Sequence, residues 1–462
     1  MKHILIFVNL LLFCALCHAQ EYGMGLERSR EKAAELPQKV EYLTRDFTVL
    51  PSSYSLEKYC PTPMSQGSYG TCTAWSSAFA ARTIAEAIAY GWTDKSRINS
   101  EVFSPWFVYT NIKLTHIYPN DYNCKQGTYI EDAVKLMYTK GVPKMSDYAT
   151  PCEISVPQFA FSKAYQYRID EYTSLFSDAH PVANDNEILK VKMSIANNRP
   201  VIIAAECYGS FHAAKDCWNG VCENKPGYHA MCVVAYDDYK YGGAFLIQNS
   251  WGTYWGNGGY TWCRYSDFAR IVYEAIEIYV KPKSFISRPN SLSGTLRLQL
   301  STGEEMRGTL GANGVYKISG EYISGTRYRI YISNNEPAYV YVIGSDLQNN
   351  VSKVFPPNDR ISPALTYKSN NIAIPDENWF VQMDNTVGKD YVCVLYSAQE
   401  LDINTIISKI RSGYGSFPEK VSAALSGKIV PASDVRFSQN SISFSASTNK
   451  SVVALIAEVV HK

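Results

Sequence analysis

What the 462-residue chain lacks narrows its function first. It has almost no net charge: 44 Lys and Arg stand against 43 Asp and Glu. No basic excess therefore points to a nucleic acid or an anionic membrane as partner. Its most prominent apolar run, Ile4 to Leu16, is about thirteen residues, too short to span a bilayer. Its 7 histidines include no His-x-x-x-His, and beyond the first twenty residues there is no Cys-x-x-Cys. The spacings that hold a catalytic or structural metal are thus missing. Asp237-Asp238 is a lone acidic pair that reads as solvated loop. No Gly-rich phosphate loop leads into a helix, and there is no internal repeat or low-complexity tract. The expected cofactor is none, and no metal is expected.

What is present describes an ordinary globular protein, 46% hydrophobic and 19% charged, with room for two large domains. Met1-Lys-His, the apolar run and Cys17-His-Ala19 form the basic, apolar and small-residue pattern of a signal peptide over residues 1–19. The expected location is exported: secreted, periplasmic or cell-surface, with a bacterial source favoured. Export permits disulfides among the ten cysteines that follow. Cys217 and Cys222 enclose a tight loop and are the first expected pair; Cys124 and Cys152 are the second. The remaining connectivity does not follow from sequence.

Residues 20–48 are polar and read as an N-terminal arm. From 49 to 282 the text is dense in aromatics, Gly and Cys. Helices are expected over Cys72 to Tyr90, Glu131 to Thr139 and Glu187 to Asn197. Strands follow at Val201 to Ala205, Ala230 to Ala235, Ala244 to Gln248, Tyr260 to Arg264 and Ala275 to Val280. Helices first and strands later predict an α+β domain with a cleft between two lobes. A Pro- and Ser-rich linker is expected at 283–292. Alternation at Leu296/Leu298/Leu300, Tyr328/Ile330/Ile332 and Tyr339/Tyr341/Ile343 then predicts a mainly-β sandwich over 293–462, with one good helix at Asp402 to Ser412.

The chemistry sits in an ordered set. Gln66 lies six positions before Cys72 in Gln66-Gly-Ser-Tyr-Gly-Thr-Cys72; His229 and Asn249 follow, the latter in Asn249-Ser-Trp-Gly-Thr-Tyr-Trp-Gly-Asn-Gly-Gly-Tyr260. Alone, Cys72 reads as a buried thiol, His229 as a packed histidine and Asn249 as a turn residue. Together they supply a nucleophile, a base, an orienting acceptor and an oxyanion donor. Gly70-Thr71 leads into the Cys72 helix, whose N-terminal partial charge favours a thiolate.

These segments resemble the papain-like, cathepsin-type cysteine peptidases. The Cys72 segment resembles that family's nucleophile loop, Tyr228-His229-Ala-Met-Cys-Val-Val-Ala-Tyr236 its histidine strand, and the Asn249 segment its asparagine signature. The resemblance covers about half the chain and implies a two-lobed peptidase acting on proteins or peptides. It implies Cys72 as nucleophile, His229 as base and then acid, Asn249 as orienter, Gln66 as oxyanion donor and Trp251 as a shield. It places substrate binding at Gly127, Thr128, Gly227 and Tyr228. Tyr69 stands where the family has a disulfide cysteine, and Thr73 where it has Trp. The arm is much shorter than the family's pro-segment, so latency by the usual blocking helix is not implied.

Two other classes share part of this residue set. An inactive homologue would bind peptides or act in adhesion. Transglutaminase-like and amidase thiol enzymes also place His after Cys, without Asn-Ser-Trp-Gly. Residues 291–462 more weakly resemble a bacterial β-rich domain of unknown function. Its tyrosines leave two readings open: docking to protein or glycan, and cross-strand packing.

Overall fold

The computed structural model describes residues 22–40, 50–119, 121–283, 290–346, 350–368 and 370–462. The signal-peptide segment and most of the expected linker lie outside them. The first domain is built on a seven-stranded sheet of β1 (Ser53–Ser55), β2 (Glu171–Phe176), β3 (Val201–Cys207), β4 (Gly227–Asp237), β5 (Ala244–Gln248), β6 (Tyr260–Arg264) and β7 (Val272–Tyr279). Its order is β2-β7-β3-β4-β5-β6, with β1 also on β4, and every pairing is antiparallel. β3 and β4 read as continuous apolar runs because both their faces are covered.

The expected Cys72–Tyr90 helix is present but not uniform. Cys72–Ala74 is α, Trp75–Arg82 has π geometry, and Thr83–Tyr90 is α again, ending at Gly91 with φ of 69°. Every residue from Cys72 to Ala87 is buried, so this helix is the centre of the domain rather than a surface element. Helices Pro105–Ile112 and Ile130–Thr139 pack beside it. The former begins Ser104-Pro105, with the Ser104 hydroxyl accepting from Phe107 N at 3.1 Å, a start signal the sequence carried and the reading passed over.

The C-terminal region has two sheets around one core. Val340, Val394 and Leu455 of one meet Leu298, Ile330 and Phe444 of the other. Its first strand, Asn290–Leu300, begins inside the expected linker. A second helix, Phe417–Ala424, joins the expected one, observed as Ile403–Ser412; a Ser416/Glu419 capping box starts it. Together the two helices cover the outer face of Ala338–Ser345, which is why Tyr341 and Ile343 are buried opposite Val340 and Val342. Tyr328, Tyr331, Tyr339 and Tyr341 are all buried, so cross-strand packing, not a glycan or peptide surface, explains them.

The two regions meet over a buried carboxylate. Glu277 of β7 accepts from Thr173 Oγ1 at 3.1 Å, Ser194 Oγ at 2.7 Å and Tyr367 Oη at 2.6 Å, and pairs with Lys39 of the arm. Burial brings the Lys39 ammonium down to about 7. Gln38 is bridged to Ser174 on one side and Ile361 on the other. The arm is thus gripped between the domains.

Of the two expected cysteine pairs, one forms and one is corrected. Cys124–Cys152 is bonded, but Cys217 and Cys222 are free. Their loop is pinned open by Trp218, which is buried and donates to Ser210 Oγ at 2.9 Å, while Cys217 is bridged to Trp262 of β6. Among the described residues no helix is long and apolar enough to cross a membrane.

Glu277→Ala should cost about 3 kcal/mol or more, because it leaves Lys39 buried without its counter-charge. Denaturant unfolding of the full chain measures this; a loss below about 1 kcal/mol would refute the role given to the pair.

Candidate active site

Cys72 opens the central helix, and its Sγ faces the backbone of β4, where Ala230 N donates to it at 3.5 Å. His229, the preceding residue on β4, is fully buried. Its Nε2 lies 2.7 Å from Asn249 Oδ1, while Nδ1 has no hydrogen-bond partner. Asn249 follows β5, and its Oδ1 also accepts from Ser250 N at 2.8 Å, which fixes the amide. Trp251 stacks on the His229 ring at 4.7 Å and covers the His–Asn bond. β4 and β5 are hydrogen-bonded neighbours, so histidine and asparagine meet by register; the thiol comes from the other lobe.

Gln66 is held from both ends. Its Oε1 accepts from Ser250 Oγ at 2.5 Å and its Nε2 donates to Tyr69 O at 2.8 Å. An amide nitrogen carries two protons, so one is left over from the bond to Tyr69 O. Ser250, unnoticed in the sequence reading, is the residue that orients Gln66.

The cleft over this site is filled by the chain's own arm. Gly25 N donates to Cys72 Sγ at 3.2 Å. Gly25 O accepts from Thr128 N at 3.0 Å, Glu27 N donates to Thr128 O at 3.0 Å, and Leu26 N donates to Tyr228 O at 3.4 Å. Trp251 Nε1 donates to Gly23 O at 3.2 Å, and Tyr22 stacks on Trp251 at 4.7 Å. Met24 lies against Gly227 and Glu27 against Gly127. All four expected substrate-binding residues therefore line the path of residues 22–28, with Thr128 rather than Gly127 making the backbone pairing. The arm does this as irregular chain with a single parallel bridge from Leu26 to Thr128, before its short Arg30–Glu35 helix. The signal in the sequence was Gly23-Met-Gly25: a Cβ at either glycine would collide with the backbone of Tyr69 or Gly70, so only glycine lets the arm lie this close.

The arm presents the Gly25 N–H to the thiol, and the Gly25 carbonyl is taken up by Thr128 N. It also dries the site. Burial pushes the Cys72 thiol up, against the opposing pull of the Ala230 and Gly25 N–H groups. Burial brings the His229 imidazole down to about 4, against the opposing Asn249 hydrogen bond. Both groups are thus neutral at pH 7, and the thiolate–imidazolium pair is not formed. No group of three or more metal-ligating side chains occurs among the described residues.

Residues 110–276 match the family model of papain family cysteine proteases, and 321–400 match a domain of unknown function, DUF4384. The first match includes His229 and Asn249 and begins after Cys72. An uncharacterised peptidase C1-like protein of Acanthamoeba polyphaga mimivirus is 24% identical over 42% of this chain and 61% of its own. Ananain of Ananas comosus is 27% identical over 30% of this chain and 38% of its own. The chain thus spans less than two thirds of either curated relative. Xylellain, a cysteine protease from Xylella fastidiosa, superposes with a TM-score of 0.44 at 22% identity, over 56% of this chain and 96% of its own.

Gly25→Val should force the arm off the Gly70 backbone. Alkylation of Cys72, followed by peptide mass mapping, should then speed up at least about tenfold, equivalent to ~1.4 kcal/mol of lost closure. Relieved burial lowers the thiol pKa, so the pH at which alkylation sets in should move down. An unchanged rate and profile would refute occlusion by the arm.

Proposed function

We propose that this chain, which carries a papain-family cysteine peptidase domain followed by a DUF4384 domain, hydrolyses peptide bonds through an acyl-thioester on Cys72. The observation that supports this is what meets at the helix start: the Cys72 thiol contacted by the N–H of Ala230, the residue after His229, an Asn249 amide acceptor on the His229 imidazole, and a Gln66 amide held by Ser250 and Tyr69.

In this reading the described conformation is latent, and displacement of residues 22–28 opens the cleft. Water and substrate then reach the pair, and His229 takes the Cys72 proton. The thiolate attacks the peptide carbonyl, and the Gln66 amide and Cys72 N–H stabilise the oxyanion. The imidazolium gives its proton to the leaving amine; His229 then activates water, which hydrolyses the thioester. Asn249 keeps Nε2–H occupied, so that Nδ1 is the nitrogen left to work.

Substitution in the Gly25→Val background tests this. Cys72→Ala or His229→Ala should abolish labelling by an epoxide thiol trap at position 72 and lower peptide hydrolysis by about three orders of magnitude or more. Asn249→Ala should cost less, since it orients without exchanging a proton. Folded, arm-displaced protein that neither labels nor cleaves would indicate a peptide-binding homologue instead.

The chain is also assigned to an exported location on the pattern of residues 1–19, which lie outside the described residues. N-terminal sequencing should then start at Gln20; secreted or envelope-bound protein retaining Met1 would refute it.

A further inference from the structure

Three residues beyond the thiol, the arm places a cation in a pocket the catalytic chemistry does not use. Arg28 reaches Asp178 through Nε at 2.5 Å and Nη2 at 2.8 Å, and Glu206 through Nη1 at 3.3 Å. Its guanidinium lies 4.2 Å from the centre of the Tyr273 ring. Two carboxylates and an aromatic face are what a guanidinium needs for directional binding.

The cup is built by the scaffold and not by the arm. Glu206 stands on β3, opposite Tyr228 of β4, and its other oxygen accepts from Tyr208 Oη at 3.0 Å. Tyr273 stands on β7 and meets the Tyr228 ring edge-on at 6.0 Å. Behind it lies Glu274, 5% exposed, whose Oε1 has no hydrogen-bond partner, as does the Tyr273 hydroxyl. Burial pushes the Glu274 carboxyl well up, and Arg28 is the group that opposes this. Asp178 and Glu206 lose their counter-charge whenever Arg28 leaves, so the pocket is then short of positive charge.

Its position along the cleft follows from the leaving group. The amine departs on the side of His229 and Trp251, where Tyr22 and Gly23 lie. Thr128 and Arg28 lie on the opposite, acyl side. Three extended residues reach about 10 Å, so the cup serves the second or third residue before the scissile bond. Side-chain recognition by charge does not depend on the direction of the backbone that delivers it.

We propose that the cup of Asp178, Glu206 and Tyr273, backed by Glu274, is a specificity subsite for an arginine or lysine on the acyl side of the substrate, and that Arg28 fills it when the arm is closed. This rests on the peptidase reading above. The test uses the full-length Gly25→Val chain and fluorogenic peptides with arginine, lysine, norleucine or glutamate at the second and third acyl-side positions. At one of these positions kcat/KM for arginine should exceed that for norleucine by at least about tenfold. Asp178→Asn with Glu206→Gln should bring the two together by lowering the arginine peptide at least about tenfold, while epoxide still labels Cys72. If the double variant misfolds, Glu206→Gln alone should lower the ratio, and in the parent the ratio should shrink as salt rises. Intact labelling with no preference for a basic residue, or a preference that survives the substitutions, overturns the subsite and leaves the peptidase reading standing. Loss of labelling in the Gly25→Val chain overturns both.

Discussion

The start of the central helix against β4 is the constraint on which the site depends. Cys72 comes from one lobe and His229 from the other, and no local sequence preference brings them together. They meet because the helix is buried all round and its first turn seats the thiol under the Ala230 N–H. The π segment at Trp75–Arg82 follows directly. A π turn re-phases the side chains that come after it, and here it lies where the helix must both bury every side and aim one sulfur.

With the arm in the cleft, the site's side chains are assembled while its charged forms are disfavoured. Asn249, Trp251 and Gln66 already stand in hydrogen-bonded or stacked positions with the arm in place. What the arm removes is water. Without it the charged forms of thiol and imidazole are both disfavoured, and the pair stays neutral. Two glycines let residues 22–28 lie this deep in the cleft, with the Gly25 N–H on the thiol and the Gly25 carbonyl on Thr128.

The β-rich domain enters the same arrangement through Glu277. That carboxylate is shared by the arm, by the helix carrying Ser194 and by Tyr367 of the second domain, so three parts of the chain satisfy one buried charge. A charge buried with this many partners is costly to disturb, which ties the seating of the arm to the docking of the domains. The arm is held at one end by Glu277 and further along by Arg28 in the acidic cup.

The sequence by itself determined the α+β class, the two-part organisation, the ordered Gln66, Cys72, His229 and Asn249 set and many of the strands, though not Glu171–Phe176, Val315–Tyr322 or Ser443–Thr448. These are written as local periodicity and as fixed spacings within single segments, and a single segment carries them whole. It did not determine the π register, the helix at Phe417–Ala424 or the burial of the tyrosines on Ala338–Ser345. It misled on Cys217 and Cys222, which are close in sequence yet unbonded because Trp218 and the bridge to Trp262 hold their loop. The arm in the cleft, the acidic cup and the shared Glu277 were decided only by tertiary structure. Each joins residues from well-separated segments through burial and charge, and such pairings leave no periodicity in the chain for a reader to find.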